Sequence, residues 1–442
     1  MSKAHIAIVG GGYSGTLQAI ELLERGARVT LIERAPRVAR GAAYGTEQPD
    51  HLLNVRASGM SAFADRPDHF ADWFAASGGA PDQFAQRRVY GRYLGELLEA
   101  ARARHGERLQ TLEAEVAAIE PDGMGERLHL EDGREIHADA VVLAVGNLPP
   151  EPTRGIDPST LSPGIYVDNA WAADLSAGLS DDDQVLLVGT GLTAIDAALS
   201  LESAGFGGRI LAISRRGLLP RAHASSPNPP AATPAQIEPR CTTLLRVVRE
   251  GVDGDWRRAV DSLRPVTQSL WRDADETERR RFLRHLRPWW DVHRHRIAPS
   301  IAARIEGMER AGRLEVRAGK IVDARADGDA ALVRWRPRAS TETQEVRVRR
   351  IVNCTGPQAD LSRAGEPLLD SLLAAGRIRS DACRIGIDVD EEFRTFDSAG
   401  APSPTLYTIG PMTRGAFWEI VAVPDIRHQV RALADKLANP EI

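Results

Sequence analysis

The stretch HIAIVGGGYSGTLQAIELLERGARVTLIER, His5 to Arg34, sets the fold class. Ile6 to Val9 is a short apolar run, the pattern of a strand covered on both faces of a parallel sheet. Gly10, Gly12 and Gly15 follow at once in G-x-G-x-x-G spacing. The first glycine permits a tight turn, the second lets a pyrophosphate approach the backbone, and the third lets helix and strand pack closely. A helix from about Ser14 to Arg25 turns its N-terminal N–H groups toward such a phosphate. Gly26 is placed to stop it, and ARVTLIE supplies a second strand ending in Glu33, where a carboxylate accepts the 2′-OH of an adenosine ribose. Small residues at a helix start also serve packing alone. The order strand, glycines, amphipathic helix, strand and acid is what marks a nucleotide site.

A second such unit lies at QVLLVGTGLTAIDAALSLESAGFGGRILAISRR, Gln184 to Arg216. Gly189, Gly191 and Ala194 repeat the triplet, with the alanine the fingerprint allows in third place. Its second strand ends in Ser214, Arg215 and Arg216 rather than an acid. A carboxylate repels a 2′-phosphate, whereas a guanidinium binds it through charge-assisted hydrogen bonds. The second unit therefore reads as a site for NADPH, against the plainer reading of two solvated loop arginines.

With 442 residues, of which 43% are hydrophobic, the chain is long enough for two or more cores. ADAVVLAVGN, Ala138 to Asn147, is an apolar strand running into a small-residue turn, and the proline-rich LPPEPTRGIDPSTLSPG after it marks a crossing between domains. VRRIVNCTGP, Val348 to Pro357, has the same form and reads as the crossing back. The expected architecture is α/β, with two Rossmann-like dinucleotide-binding domains, the NADPH domain inserted in the domain of the first glycine loop: residues 1–150, 151–347 and 348–442. Arg246 to Arg313 is rich in arginine and tryptophan and helical in character. Ser225 to Gln236 is dominated by proline and alanine and reads as a loop placed to lie over a cofactor cleft.

The formal charge of -5 argues against a nucleic-acid partner recruited by overall basicity. Arg279, Arg280, Arg281, Arg284 and Arg287 form a basic run, but Asp273, Asp275, Glu276 and Glu278 precede it, so internal ion pairs on a solvated helix account for it. Cys241, Cys354 and Cys383 are scattered without a CxxC pair, which argues against a dithiol centre, and Cys354 reads as a buried thiol without chemistry. His285, His293 and His295 lack the spacing and partners of a metal site; Trp289, Trp290 and His293 are expected to share one packed helix face behind Pro288. No apolar run approaches a membrane span and the first strand begins near His5, from which a cytoplasmic address is expected.

The two glycine loops, GAAYGTEQPDHLLNVRASGM at Gly41 to Met60, LAVGN, VGTGLTAIDAALSL, NCTGP and LYTIGPMTRGAFWEIVAVPDIRHQV together resemble the bacterial FAD/NAD(P)-binding flavoproteins of the two-dinucleotide-binding-domain type. These are distantly similar to flavin-containing and N-hydroxylating monooxygenases. The resemblance spans nearly the whole chain and implies that Gly10, Gly12, Gly15 and Glu33 hold the ADP half of FAD, and that the second loop holds NADPH. On the same footing Tyr13, Ser14, Arg34, Val116, Gly146, Gly356 and Gly410 belong with the FAD set, and Leu192, Thr193, Ser214, Arg215 and Arg216 with the NADPH set. LYTIGP, Leu406 to Pro411, stands where relatives carry a Gly-Asp turn facing the flavin; here Pro411 replaces the aspartate.

The resemblance also sets Asn54, Arg414, Trp418 and Glu419 near the reacting ring. Asn54 and Arg414 are the candidate catalytic donors, with a turn-forming asparagine and helix-start chemistry as the plainer readings. The function implied is an NADPH-dependent flavin monooxygenase acting on a small nitrogen or sulfur nucleophile through a flavin peroxide. A reductase for a small organic acceptor and a non-catalytic flavin-binding redox sensor are the alternatives. The cofactor carries the hard chemistry in the enzyme readings, which fits the lack of an evident Ser-His-Asp set or acidic dyad.

Overall fold

The computed structural model describes residues 4–171, 173–226, 229–233 and 237–438. Strands β1 (His5–Val9), β2 (Arg28–Glu33) and β3 (Leu109–Glu113) open the chain, followed by β4 (Val116–Asp122), β5 (Gly125–Leu130), β6 (Glu135–Ala138) and β7 (Ala140–Leu143). Next come β8 (Tyr166–Val167), β9 (Gln184–Val188), β10 (Arg209–Ser214), β11 (Leu314–Asp327), β12 (Ala330–Pro337), β13 (Gln344–Val348) and β14 (Arg350–Asn353). β15 (Arg394–Phe396) and β16 (Pro402–Thr408) close the set.

The first sheet has the order β15-β16-β7-β1-β2-β3, and the second β13-β12-β11-β10-β9-β14-β8. In the first, β16, β7, β1, β2 and β3 run parallel, and only the edge strand β15 is antiparallel. In the second, β11, β10, β9, β14 and β8 are parallel, with β12 and β13 added as an antiparallel hairpin edge. The last four residues of β1 and of β9 are buried, as a strand sandwiched between helix layers requires. β4, β5 and β6 form a small antiparallel meander of their own.

Because β16 returns to pair with β7, the first sheet is built from both ends of the chain, and the second sheet is inserted between them. One expected boundary moves. The strand at Arg350–Asn353, given above to the returning domain, pairs with β9 through Ile351 and Leu186, so the return falls after it. The two crossings touch: Leu148 and Gln358 form an antiparallel bridge, and the Asn353 side-chain amide donates to the Glu151 carbonyl at 2.7 Å.

The arginine- and tryptophan-rich stretch is helical, running through Cys241–Glu250, Trp256–Asp261, Thr267–Asp273, Glu276–Arg281, Arg287–Arg294 and Pro299–Arg310. Pro288 stands in the first turn of its helix, where its missing N–H costs nothing. Arg280 pairs with Glu276 at 2.6 Å and Arg281 with Glu278, so the basic run is partly neutralised by the acids before it. The shared face expected of Trp289, Trp290 and His293 does not form. Trp289 is 43% exposed, Trp290 packs toward Phe282, and His293 stands edge-on to Trp256 at 4.7 Å. Of the proline/alanine stretch, Ala231 and Thr233 hydrogen-bond to Arg258 and Ser262, while residues 227, 228 and 234–236 lie outside the described residues. No helix among the described residues is long and apolar enough to cross a membrane.

Candidate functional site

The two glycine loops are built alike. Gly10 has φ +106° and Gly189 φ +120°, and a Cβ on either would strike a carbonyl at the end of the neighbouring strand: Ala144 O at 2.4 Å and Cys354 O at 2.1 Å. Each loop thus sits at the point where its sheet's strand order reverses, the place where open α/β sheets bind ligands. The second glycines face the other way. A Cβ on Gly12 would meet only the Gly41 Cα, at 3.6 Å, and one on Gly191 would meet nothing within 4 Å. Space that no protein atom fills there is what a pyrophosphate needs. Gly15 has no such room, since a Cβ would stand 1.8 Å from Gly10 O, whereas the second helix accommodates the methyl of Ala194 in its core.

Both helices that follow, Tyr13–Glu24 and Leu192–Ser203, are N-capped by a glycine without a side-chain cap. The Thr16 N–H is bonded to Gly12 O at 3.0 Å, so the amides before it, including Ser14's, are free to meet an anion. Tyr13 offers only backbone here: its ring lies among Tyr44 and Tyr90 and its hydroxyl donates to Val423 O at 3.3 Å. Leu192 and Thr193 hold the equivalent half-buried places in the second unit.

Strand register aligns the two recognition positions. Val9 pairs with Ile32 and Val188 with Ile213, so Glu33 and Ser214 each stand one residue beyond the matching pair. Glu33 accepts the Gly11 N–H at 2.7 Å and the Ala35 N–H at 3.0 Å, which ties the loop to β2 and leaves further lone pairs on both oxygens. Ser214 accepts from the Thr190 hydroxyl at 2.8 Å and the Gly217 N–H at 3.0 Å. Arg215 is exposed, while Arg216 reaches toward the helical insertion, 6.0 Å from the Trp289 ring centre. Arg34 pairs with Glu366 at 2.9 Å, and Val116 is a core side chain at the start of β4. Gly146 and Gly356 have positive φ and open space where a Cβ would stand.

The C-terminal segment closes on the first loop. Gly410, φ +78°, donates its N–H to Gln429 Oε1 at 2.7 Å and its carbonyl accepts from the Thr413 hydroxyl at 2.8 Å, while Gln429 in turn donates to Thr413 Oγ1 at 3.0 Å. Pro411 is buried in this turn, and the chain there is held by backbone, by Gln429 and by Thr413. Arg414 is 9% exposed; its backbone N–H donates to Pro411 O at 3.3 Å, while its guanidinium makes no hydrogen bond or ion pair among the described residues. Burial, with Arg287 nearby, pulls its guanidinium down to about 10.

Trp418 is buried and stacks on Trp271 at 4.7 Å, with Phe282 edge-on at 5.3 Å. Glu419, at φ +70°, accepts from Trp290 Nε1 at 2.8 Å and lies 3.4 Å from Arg294 and 3.5 Å from His295. Burial pushes its carboxyl up, but His295, Arg294 and Trp290 together hold it down at about 2. Asn54 stands elsewhere, between the two units, in a small cleft that also holds Leu192, Arg87 and Ile297. Its carbonyl accepts from His223 Nε2 at 2.9 Å, and burial lowers that imidazole to about 4, leaving it neutral at pH 7.

Sequence reasoning missed Asp196. This buried carboxylate, early in the second helix, meets Arg87 of the first unit at 3.2 Å and the Trp171 indole N–H at 3.2 Å, joining the units. Its signal was an acid inside the apolar run LTAIDAALSL. Among the described residues no group of three or more His, Cys, Asp or Glu is arranged to hold a metal ion.

Residues 7–148 match a family model described as FAD-NAD(P)-binding. No curated protein matches the chain. Solved structures do. The ornithine N-hydroxylase of Kutzneria sp. 744, solved with reduced FAD, NADP+ and L-ornithine, superimposes with a TM-score of 0.67 at 16% identity over 100% of both chains. The L-lysine 6-monooxygenase of Pseudomonas syringae gives 0.66 at 18% identity over 99% of this chain and 100% of its own. The thioredoxin reductase of T. acidophilum gives 0.56 at 15% identity over 99% of each chain. At these identities the shared property is the fold, a pair of nucleotide-binding units in one chain.

Proposed function

We propose that this chain is an NADPH-dependent FAD monooxygenase that oxygenates a small nucleophilic nitrogen or sulfur compound. The observation that carries it is the pair of matched cradles: open at Gly12 and Gly191, and differing where the second strand ends, in Glu33 in the first unit and in Ser214 followed by Arg215 in the second. An acid suits the free ribose of FAD, and a serine beside an exposed guanidinium suits the 2′-phosphate of NADPH. The family match over residues 7–148 supports the first assignment. The folds of the ornithine and lysine hydroxylases support the reaction class. FAD, when bound, accepts a hydride and supplies the chemistry with oxygen.

The chain's own residues bind, orient and exclude water. The amides at Gly12–Gly15 and Gly191–Thr193 hold the two pyrophosphates, Glu33 fixes the loop and the ribose together, and Arg215 clamps the 2′-phosphate. Arg414 brings an unpaired positive charge beside the Gly410 turn, where it favours developing negative charge on whatever lies there. A dithiol route has little support. Burial raises the Cys241 thiol to about 11 and raises Cys354 and Cys383 as well, so none is poised as a thiolate.

The test supplies NADPH and labelled dioxygen with a panel of amines and sulfides. A product heavier by one labelled oxygen, formed with one NADPH consumed, is expected. NADPH oxidation that proceeds without oxygen on an organic acceptor would assign the chain to the reductases instead.

A further inference from the structure

Between the helical insertion and the C-terminal segment lies a cavity separate from the nucleotide loops. Its walls are largely aromatic and aliphatic: Trp271 stacked on Trp418, Phe282 edge-on to it, and Trp290, with Leu244 and Leu263 among the aliphatic side chains of the lining. It encloses about 50 Å³ of cavity volume and opens to solvent on one side. The charged groups at its edge are already engaged. Glu278 accepts the Cys241 N–H at 3.0 Å, and Arg279 donates to the carbonyls of Trp271 and Arg272 at 2.9 and 2.8 Å. One polar atom is left over: Trp418 is 4% exposed, and its indole N–H has no hydrogen-bond partner. Buried indole N–H groups normally find an acceptor, so an orphan donor on a residue that lines the cavity points to a ligand, which meets it through a small shift of the ring because the N–H itself is closed off as it stands.

The cavity is also in the right place. The Trp271 N–H donates to Gly415 O at 2.8 Å, on the segment that follows the Gly410 turn and so lies just beyond the first glycine loop. We propose that this cavity is the substrate site and that it takes a neutral, ring-bearing molecule whose acceptor atom meets the Trp418 N–H. Its use as a substrate site rests on the flavoenzyme reading; its preference for a neutral ring rests on the walls alone. An amino acid such as ornithine would bring an ammonium and a carboxylate into walls that offer no uncommitted counter-charge among the described residues, a desolvation loss without return. Flat rings, by contrast, gain edge and face contacts with three tryptophans and a phenylalanine.

Binding is measured by calorimetry on the full-length oxidised protein without NADPH, using thioanisole, methyl phenyl sulfoxide and L-ornithine as probes. Both aromatic compounds are expected to bind and L-ornithine is not. Leu244→Trp, which fills the cavity, should weaken thioanisole tenfold or more while the flavin absorbance is kept. Trp418→Phe keeps a ring and removes the donor; it should weaken the sulfoxide by about three- to tenfold, the worth of one hydrogen bond, and thioanisole by less than about twofold. That second variant decides the matter if the first fails to fold. L-ornithine binding in place of the aromatic probes, or aromatic binding untouched by either variant, overturns the proposal. Aromatic binding in a protein that holds no flavin would uphold the cavity and remove the flavoenzyme reading, and flavin with NADPH oxidation but no aromatic binding would do the reverse.

Discussion

Gly410 rests on Ser14. A Cβ on Gly410 would stand 2.7 Å from the Ser14 hydroxyl, so the turn after β16 is pressed against the head of the first-loop helix. Gly410→Ala should therefore lower both stability and flavin affinity. Adding Ser14→Ala relieves the contact and should recover part of the loss; the remainder, about 1 kcal/mol or more, is the strain of alanine at φ +78°. A double-mutant cycle on urea midpoints checks it, and strict additivity would show that the contact carries no energy.

The first and second glycines of the loop should separate fold from binding. Gly12→Ala meets only Gly41 at 3.6 Å, so the folded protein should form normally and lose flavin. Gly10→Ala meets the Ala144 carbonyl at 2.4 Å with φ +106° and should lose both. Circular dichroism beside flavin absorbance distinguishes the two. Wild-type flavin affinity in Gly12→Ala would remove the pyrophosphate from this loop.

Arg215→Ala should discriminate between nicotinamides. Charge-assisted hydrogen bonds are worth about 1.5–3 kcal/mol, so kcat/KM for NADPH should fall by roughly one to two powers of ten while that for NADH stays put. Equal use of both cofactors by the wild type would show that Ser214 and Arg215 read no phosphate.

Arg414→Met should raise the unfolding midpoint of the flavin-free protein and lower turnover of the loaded one. A buried guanidinium without a hydrogen bond carries a desolvation cost that the charges of Asp291, Glu419 and Asp381 only partly offset, and an apolar chain of similar size relieves about 1–3 kcal/mol. A drop in flavin-free stability would mean that Arg414 is compensated in the fold.

Glu419 predicts an acid limb. Its carboxyl is held at about 2, below its ordinary 4.5, so the stabilisation is present above 4.5 and is lost as pH falls from there toward 2. The linked contribution is on the order of 3 kcal/mol. Glu419→Gln keeps an acceptor for Trp290 and loses the charge, so its deficit should be large at pH 7 and vanish near pH 2. A deficit independent of pH would assign the loss to packing.

Both glycine loops and the inserted order of the domains were legible because each is written in a short stretch of chain. The conformation of Gly10 and Gly189, the strand before each and the residue that ends the next strand are neighbours in sequence. Assigning Arg350–Asn353 to a sheet was not possible on that basis, since an apolar strand buried on both faces looks the same in either sheet. The stacking of Trp418 on Trp271 was hidden for a related reason: it joins the helical insertion to the C-terminal segment, and no local spacing reports a contact between them. Trp289 and Trp290 are adjacent identical residues of which only the second packs, a choice made by the Phe282 and Glu419 side chains that receive it.

The bridge between Leu148 and Gln358 has a consequence for how such a chain is assembled. The inserted unit leaves and re-enters its host through adjacent points, so its removal opens only a narrow gap in the host backbone, one that a short linker closes. The unit is a cassette in that sense, exchangeable for another with a different nicotinamide preference without rethreading the host. What would resist exchange are the contacts that tie the cassette to its host beyond the crossings, the Arg87–Asp196 pair and the aromatic seam at Trp271 and Trp418, which any replacement would have to supply.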